Sequence, residues 1–115
     1  MTAPDGYLYA WVNANSGGDW CRWYDNDANW NTCSGSKPNL DMLDKASSLE
    51  NRGYAGAYED AGLSTSPNWE GARYCLPDGH YLGNLTGIHL PWDGRPGQGQ
   101  SVNDNIASHK WSNNC

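Results

Sequence analysis

A short motif occurs twice in this chain, about half the chain length apart. Residues 43–49 read LDKASSL and residues 103–109 read NDNIASH. Each copy follows an aromatic-rich, turn-rich segment that carries its own cysteine. This internal similarity predicts two related units, over about residues 6–52 and 53–112, that pair within a single domain covering residues 1–115.

The residue composition favours an all-β fold. The chain contains seven Trp and seven Tyr but no Phe, and rings with a polar atom suit half-buried strand positions and binding faces. Gly, Asn, Asp and Ser are spread along the whole chain, and no window shows a sustained helical apolar period. We therefore predict short strands joined by many tight turns.

The charge balance excludes some classes of partner. A net charge of −6, with only seven dispersed Lys and Arg, argues against binding to nucleic acid. No apolar run is long enough to span a bilayer. Residues 1–5, MTAPD, lack the charged and hydrophobic regions of a signal peptide, so we interpret the chain as a mature secreted protein restarted with Met.

Four cysteines favour disulfide bonds formed in an oxidising compartment, because the chain is small and poor in core residues. Three pairings are possible. Cys21 and Cys33 flank a polar loop of the first unit, whereas Cys75 lies in a predicted strand of the second unit and Cys115 is the last residue, so we favour Cys21–Cys33 and Cys75–Cys115. Zinc is the rival interpretation, but no Cys-x-x-Cys pair exists and the three histidines are scattered.

The positions of the strands are predicted from segments of alternating apolar residues and from the turn residues between them. Residues 6–12 and 19–24 form a predicted hairpin around a turn at 13–18, and a third strand lies around 48–50. In the second unit the pattern predicts strands at 54–58, 72–76 and 108–111, with turns at 68–71 and 77–80.

These units resemble the βγ-crystallin superfamily, whose Greek-key motif places an aromatic residue before the glycine of a folded hairpin and later has a Ser-bearing turn. Trp11 and Gly18 fit this arrangement, and the glycine supplies the positive φ that the hairpin needs. Residues 58–60 and 68–71 resemble the two halves of the second hairpin, with residues 61–67 as an extra segment. The resemblance implies a βγ-crystallin-like sandwich of two Greek-key motifs, stabilised by disulfides.

Within this superfamily, the chain is most similar to the secreted actinobacterial branch grouped with metallopeptidase inhibitors. An Asn-aromatic-x-Gly turn followed by a Cys-bearing strand recurs in that branch, and residues 68–71 and Cys75 carry the similarity here. The resemblance implies a secreted, non-enzymatic binding protein that inhibits a peptidase.

The superfamily also implies calcium, because its signature is two Asn or Asp, two free positions, then Ser or Thr and Ser. In the first copy, Leu43 occupies the position of the leading Asn or Asp. In the second copy, Ala107 occupies the position of the Ser or Thr, so the hydroxyl is absent. The resemblance therefore implies one Ca²⁺ site, whose oxygen ligands would come from Asp44, Lys45 (carbonyl), Ser47 (hydroxyl) and the region of Glu59. In the alternative interpretation, these residues only hydrogen-bond a turn between strands.

The sequence offers little for catalysis, since it contains none of the common nucleophile or metalloprotease motifs. A carboxylate pair for glycoside hydrolysis could come from Asp25, Asp27, Glu59, Asp60 or Glu70, but we interpret these as solvated turn residues. We predict that the protein is not an enzyme.

Two surfaces are alternative candidates for the binding site. Residues 91–100 form a long Gly- and Pro-rich loop in which Trp92 is a plausible anchor and Arg95 a directional contact for a protease. The alternative is a glycan platform of aromatic residues that includes Trp23 and Trp30, although about half of the tryptophans are expected to be core. A glycan ligand would suit an antifungal or killer-toxin-like protein, and an adaptor of a secreted toxin complex is a third possibility.

Overall fold

The computed structural model describes residues 5–54, 56 and 58–113, and all elements reported below lie in these ranges. The strands are β1 (Tyr7–Asn13), β2 (Gly17–Trp23), β3 (Ser48–Arg52), β4 (Asp60–Ser66), β5 (Glu70–Leu76), β6 (Tyr81–Leu82) and β7 (Ser108–Ser112), with short 3₁₀ helices at Pro67–Trp69 and Leu85–Gly87. The first sheet has the order β2-β1-β3-β6 and the second has the order β5-β4-β7. The predicted all-β class is confirmed. None of the described helices is both long and apolar enough to cross a membrane.

Both hairpins turn at a glycine in a left-handed conformation. Gly18 has φ +74° and Gly71 has φ +80°, a region that residues with a Cβ rarely adopt. Space is also short at Gly18, because a Cβ there would lie 2.6 Å from Cγ2 of Val12. The glycine requirement predicted for the first hairpin is therefore confirmed, and Gly71 repeats it in the second.

Each unit contributes a segment to the other unit's sheet. The short strand β6 of the second unit pairs with β3, where Leu49 lies opposite Leu82. In the reciprocal exchange, Asp27 of the first unit pairs with His109 of β7 through two backbone hydrogen bonds of 3.2 and 3.0 Å. The exchange explains why the two repeats share one core, since each sheet is completed by residues of both units.

The core lies between the two sheets and is built mainly from aliphatic side chains. Leu8 of β1, Leu49 of β3, Leu63 of β4 and Leu76 of β5 are fully buried. Each such side chain contributes about 1.5–3 kcal/mol relative to an exposed position. Their alternation along the strands directs the intervening residues outward, so each sheet presents a second, outer face.

One predicted strand is wrong. The pattern places the first strand of the second unit at residues 54–58, of which 55 and 57 lie outside the described residues. The strand that pairs with β5 and β7 is β4, Asp60–Ser66, so residues 61–67 are not an insertion into the hairpin. The remaining strands, around residues 6–12, 19–24, 48–50, 72–76 and 108–111, are confirmed to within a few residues.

A disulfide bond joins Cys21 to Cys33, as predicted, with the two Cα atoms 5.9 Å apart. It attaches the polar loop after β2 to the middle of that strand. Closing a loop of this length stabilises the fold by about 3 kcal/mol in the chain-entropy account. The second predicted pairing, Cys75 to Cys115, involves a residue outside the described part of the chain.

Candidate functional site

The loop of residues 91–100 is closed by backbone hydrogen bonds at its base. The N–H of Leu90 donates to the carbonyl of Gln100 at 2.8 Å, and the N–H of Gly99 donates to the carbonyl of Leu90 at 3.1 Å. The carbonyl of Pro96 accepts from the N–H of Ala72 at 2.8 Å and from Oγ1 of Thr65 at 3.1 Å. The loop is therefore held both at its base and against the second hairpin.

Trp92 is the most exposed of the large hydrophobic residues that the structure describes, with 80% of its surface accessible. Its ring nevertheless packs over Gly99, since a Cβ on this glycine would overlap the indole. Gly99 also has φ +72°, so both the backbone and the indole require glycine at this position. The loop thus presents a large ring in a defined orientation.

Arg95, the second residue predicted to contact a partner in this loop, is paired with Asp93. One Asp93 oxygen accepts from the backbone N–H of Arg95 at 3.1 Å, and the other lies 3.4 Å from the guanidinium Nη1. Partial desolvation opposes ionisation, but backbone hydrogen bonds from Arg95 and Arg73 lower the pKa of Asp93. The ionised Asp93 therefore orients Arg95 at neutral pH.

Trp23 and Trp30, by contrast, belong to the core. Their rings stack with centroids 4.3 Å apart and an interplanar angle of 16°. Trp30 has no exposed surface, and Trp23 retains 8%. The prediction that these two residues bind a partner is therefore wrong, because neither ring face is accessible in the folded protein.

His109 connects this tryptophan pair to the rest of the core. Its Nδ1 accepts a hydrogen bond of 2.9 Å from Nε1 of Trp30, and its Nε2 lies 2.9 Å from the carbonyl of Asp25. Because Nδ1 accepts, the proton sits on Nε2 and is donated to that carbonyl. Burial lowers the pKa of His109 to about 4, so the ring is neutral at neutral pH.

The two repeated motifs lie against each other. The N–H of Asp44 donates to the carbonyl of Ile106 at 3.0 Å, and in the equivalent bond the N–H of Asp104 donates to the carbonyl of Ala46 at 2.9 Å. Asp44 and Asp104 have nearly identical left-handed φ angles of 55° and 54°. The sequence repeat therefore corresponds to a structural repeat about a pseudo-twofold axis.

This arrangement brings together some of the predicted calcium ligands and not others. Oγ of Ser47 donates to Oδ1 of Asp104 at 3.4 Å. Glu59 lies elsewhere, since its carbonyl accepts from Nδ2 of Asn51 at 2.9 Å, near the opposite end of β3 from Ser47. The side chain of Lys45 forms an exposed ion pair with Asp41, at 3.5 Å. Asp104 was missed as a ligand candidate, although it occupies the position of Asp44 in the repeat.

Ser47 and Asp104 place a hydroxyl oxygen beside a carboxylate oxygen, and both are ligand types that suit a hard cation. Burial, together with the charges of Asp41 and Asp104, raises the pKa of Asp44. Among the described residues, no cluster of three or more His, Cys, Asp or Glu forms a metal site. Calcium would therefore depend on backbone carbonyls as well as on Ser47 and Asp104. The equivalent position beside Asp44 carries Ala107 and lacks the hydroxyl.

Several carboxylates considered for hydrolysis instead hold turns. Oδ1 of Asp27 accepts from the N–H of Asn29 at 3.1 Å, and Oδ1 of Asp60 accepts from the N–H of Asp78 at 3.3 Å. Oε2 of Glu59 accepts from the N–H of Gly56 at 3.2 Å. These hydrogen bonds give the three carboxylates a structural role.

Comparison with solved structures identifies the fold. A βγ-crystallin from Ciona intestinalis has a TM-score of 0.62 at 15% identity, with 92% of this chain and 99% of that chain covered. A βγ-crystallin from an archaeon has a TM-score of 0.61 at 14% identity, covering 96% and 99%. Spherulin 3a from Physarum polycephalum has a TM-score of 0.56 at 19% identity, covering 95% and 84%. The chain thus has the βγ-crystallin fold.

Sequence comparison adds no relative to this structural likeness. No family model matches the chain, and no curated protein sequence matches it at a significant level. At identities below one fifth, the structural likeness extends to the fold alone.

Proposed function

We propose that this protein is a secreted, non-enzymatic binding protein that inhibits a peptidase through the loop of residues 91–100. One observation carries the proposal. The loop is closed at its base and bound to β4 and β5 through the carbonyl of Pro96, while Trp92 at its surface is 80% exposed.

Preorganisation of the loop supports this proposal. A loop already fixed by its own hydrogen bonds loses little conformational entropy when it enters a protease cleft, so more of its contact energy appears as affinity. Tryptophan and arginine are the residue types most enriched among the contacts that dominate binding energy, and Trp92 and Arg95 stand three positions apart in this loop. The Cys21–Cys33 disulfide supports an extracellular location, where such bonds persist.

Inhibition assays against a thermolysin-like metallopeptidase, with serine, cysteine and aspartic peptidases as further targets, test this proposal. We expect nanomolar inhibition of the metallopeptidase. Trp92→Ala should raise the inhibition constant by about 30-fold, the effect of losing a contact worth about 2 kcal/mol. The matched control is Tyr81→Ala, which truncates a 45% exposed ring on the other sheet and should leave inhibition unchanged.

A second variant separates preorganisation from direct contact. Thr65→Val removes only the hydroxyl that donates to the carbonyl of Pro96, and this carbonyl keeps its bond from Ala72. The loop should loosen and inhibition should weaken, while the melting temperature changes little. Failure to inhibit any peptidase class would refute the proposal. An adaptor of a toxin complex would instead bind a partner protein without inhibiting it.

For calcium, we propose a single stabilising site at Ser47 and Asp104, with the carbonyl of Lys45 as a further ligand. The 3.4 Å approach of the Ser47 hydroxyl to the Asp104 carboxylate supports it, since it brings together two oxygen atoms from the two repeated motifs. The ion would crosslink the two repeated motifs and stabilise the fold without performing the function.

Thermal unfolding with calcium and with EDTA tests this site. We expect calcium to raise the melting temperature of the wild type, and Ser47→Ala to abolish the rise. Ala107→Ser is the informative counterpart, because it restores the missing hydroxyl beside Asp44 and should enlarge the rise. A melting temperature that is the same in calcium and in EDTA would contradict the proposal.

A further inference from the structure

The outer faces of the two sheets differ at structurally equivalent positions. Tyr9 lies opposite Glu50 in the pairing of β1 with β3, and Gly62 lies opposite Lys110 in the matching pairing of β4 with β7. Tyr9 is therefore equivalent to Gly62, and by the same register Trp11 is equivalent to Ser64. Large rings on one sheet are replaced by the smallest residues on the other.

The outer face of the first sheet is covered by its own side chains. Tyr9 and Trp11 stack with centroids 5.8 Å apart and an interplanar angle of 17°. The guanidinium of Arg52 lies 4.0 Å above the ring of Tyr9, and that of Arg22 lies 4.4 Å above the ring of Tyr7. Only 7% of Tyr9 and 6% of Trp11 remain exposed, so these two rings offer little surface to a ligand, whereas the ring of Tyr81 on β6 is 45% exposed.

The outer face of the second sheet instead carries an open groove, which we call the second-sheet groove, with a volume of about 540 Å³. Gly62 and Ser64 of β4 line it. Its remaining lining includes the aromatic residues Tyr58, Trp69 and Trp111. A smaller cavity that shares Gly62 and Arg73 with it extends toward Arg95.

Both indoles of this groove are fixed in place. Nε1 of Trp69 donates to the carbonyl of His109 at 2.7 Å, and Nε1 of Trp111 donates to the carbonyl of Tyr24 at 2.9 Å. Since the polar atom of each ring is already satisfied, what remains available for contact is apolar ring surface. Such preset ring surfaces suit stacking against the apolar faces of sugar rings.

The groove is also a cationic region of an acidic protein. Arg73 and Lys110 line it, although the chain as a whole has a net charge of −6. The Arg73 guanidinium donates to the carbonyl of Trp69 at 3.1 Å, and Nζ of Lys110 lies 5.4 Å from the ring of Trp69. Within the described ranges, neither cation has a carboxylate within salt-bridge distance. Both charges are therefore available to an anionic ligand.

We propose that the second-sheet groove binds an acidic oligosaccharide that contains uronate units. The aromatic residues would stack on the sugar rings, Arg73 and Lys110 would bind the carboxylates, and the side chains of Ser112 and Asn113 would bond hydroxyl groups. Nucleic acid does not fit, because its dense phosphate charge would be repelled by the remaining acidic surface. The inference stands apart from peptidase inhibition, which uses the 91–100 loop.

Calorimetric titration with a galacturonate pentasaccharide tests the groove, and its methyl-esterified form is a neutral ligand of the same backbone. We expect binding of the acidic form and at least about tenfold weaker binding of the ester. Arg73→Gln and Lys110→Gln should each weaken binding of the acidic form by about tenfold. Lys37→Gln is the control, since Lys37 pairs with Asp19 at 3.5 Å outside the groove.

Filling the groove gives a test that does not depend on charge. A Cβ on Gly62 would meet only the carbonyl of Lys110, at an ordinary 3.4 Å. Gly62→Val should therefore fold, with a melting temperature at least as high as that of the wild type because valine favours a strand, and should lose binding. The inference would be overturned if the methyl ester bound as tightly as the acidic form, or if Lys37→Gln weakened binding as much as the groove variants do. It would also be overturned if neither galacturonate nor guluronate pentasaccharide bound at millimolar concentration. Equally tight binding of poly-glutamate would assign the groove to acidic peptides and overturn it as well.

Discussion

Replacing Trp30 with alanine is expected to lower the free energy of unfolding by about 3–5 kcal/mol. Trp30 has no exposed surface, stacks on Trp23 at 4.3 Å and donates a hydrogen bond to His109. Its removal leaves a cavity between the sheets and an imidazole without its donor. Urea denaturation followed by far-ultraviolet circular dichroism measures the loss.

Two further tryptophan variants show whether the loss of stability comes from burial of the Trp30 ring and from its hydrogen bond. Trp92→Ala truncates an 80% exposed ring and should change the free energy of unfolding by less than about 0.5 kcal/mol. Trp30→Phe keeps an aromatic ring but removes the N–H that donates to His109, so part of the loss should remain. Equal and small effects of Trp30→Ala and Trp92→Ala would show that Trp30 is not part of the core.

Acidification is expected to destabilise the protein through His109. The pKa of this histidine is about 4 in the folded state, because burial disfavours the cation, against an ordinary value of 6.5. Between these two values the unfolded chain binds a proton that the native state does not bind. The stability contributed by neutral His109 is complete above pH 6.5 and is lost as the pH falls toward 4, a loss of about 3 kcal/mol.

Denaturation at a series of pH values measures this loss, and His109→Gln is the matched variant. Glutamine does not titrate, so stability should fall less steeply in the variant over the same pH interval. Nitrogen-15 NMR of the imidazole gives a direct check, since the ring should remain the neutral Nε2–H tautomer at pH values where an ordinary histidine is charged. Titration of His109 near 6.5 would contradict its position in the core.

The local parts of the fold are predictable from the sequence. The first hairpin follows from alternation on either side of a polar turn, and its left-handed glycine, Gly18, follows from the geometry of the turn. The pairing of Cys21 with Cys33 follows because both flank one loop. The repeat at residues 43–49 and 103–109 correctly indicates two related units, since each copy leads into the strand that closes its unit, β3 or β7.

The strand β4 is not predictable in the same way, because its outward positions carry small residues. Gly62 and Ser64 have low strand propensity, and only Ala61 and Leu63 alternate with them, so residues 61–67 resemble an insertion. In the structure, these small residues form part of the lining of the second-sheet groove. The small residues that make the strand hard to recognise in the sequence are therefore the ones that leave room for the second-sheet groove.

Burial of the tryptophans also depends on contacts that are distant in sequence. Trp30 lies in a polar loop after β2, among asparagines, yet its partner His109 is 79 positions away along the chain. The exchange of segments between the two units brings them together, and no local pattern encodes it. For the same reason the contact between Ser47 and Asp104 is not evident from either motif alone.

Hydrogen–deuterium exchange of the protein alone and in complex with a thermolysin-like metallopeptidase tests the proposed function most directly. We predict slower exchange across residues 91–100 in the complex, centred on Trp92, and unchanged exchange in the hairpin of β1 and β2. Absence of a complex, or protection confined to surfaces other than this loop, would contradict the proposal that the loop inhibits a peptidase.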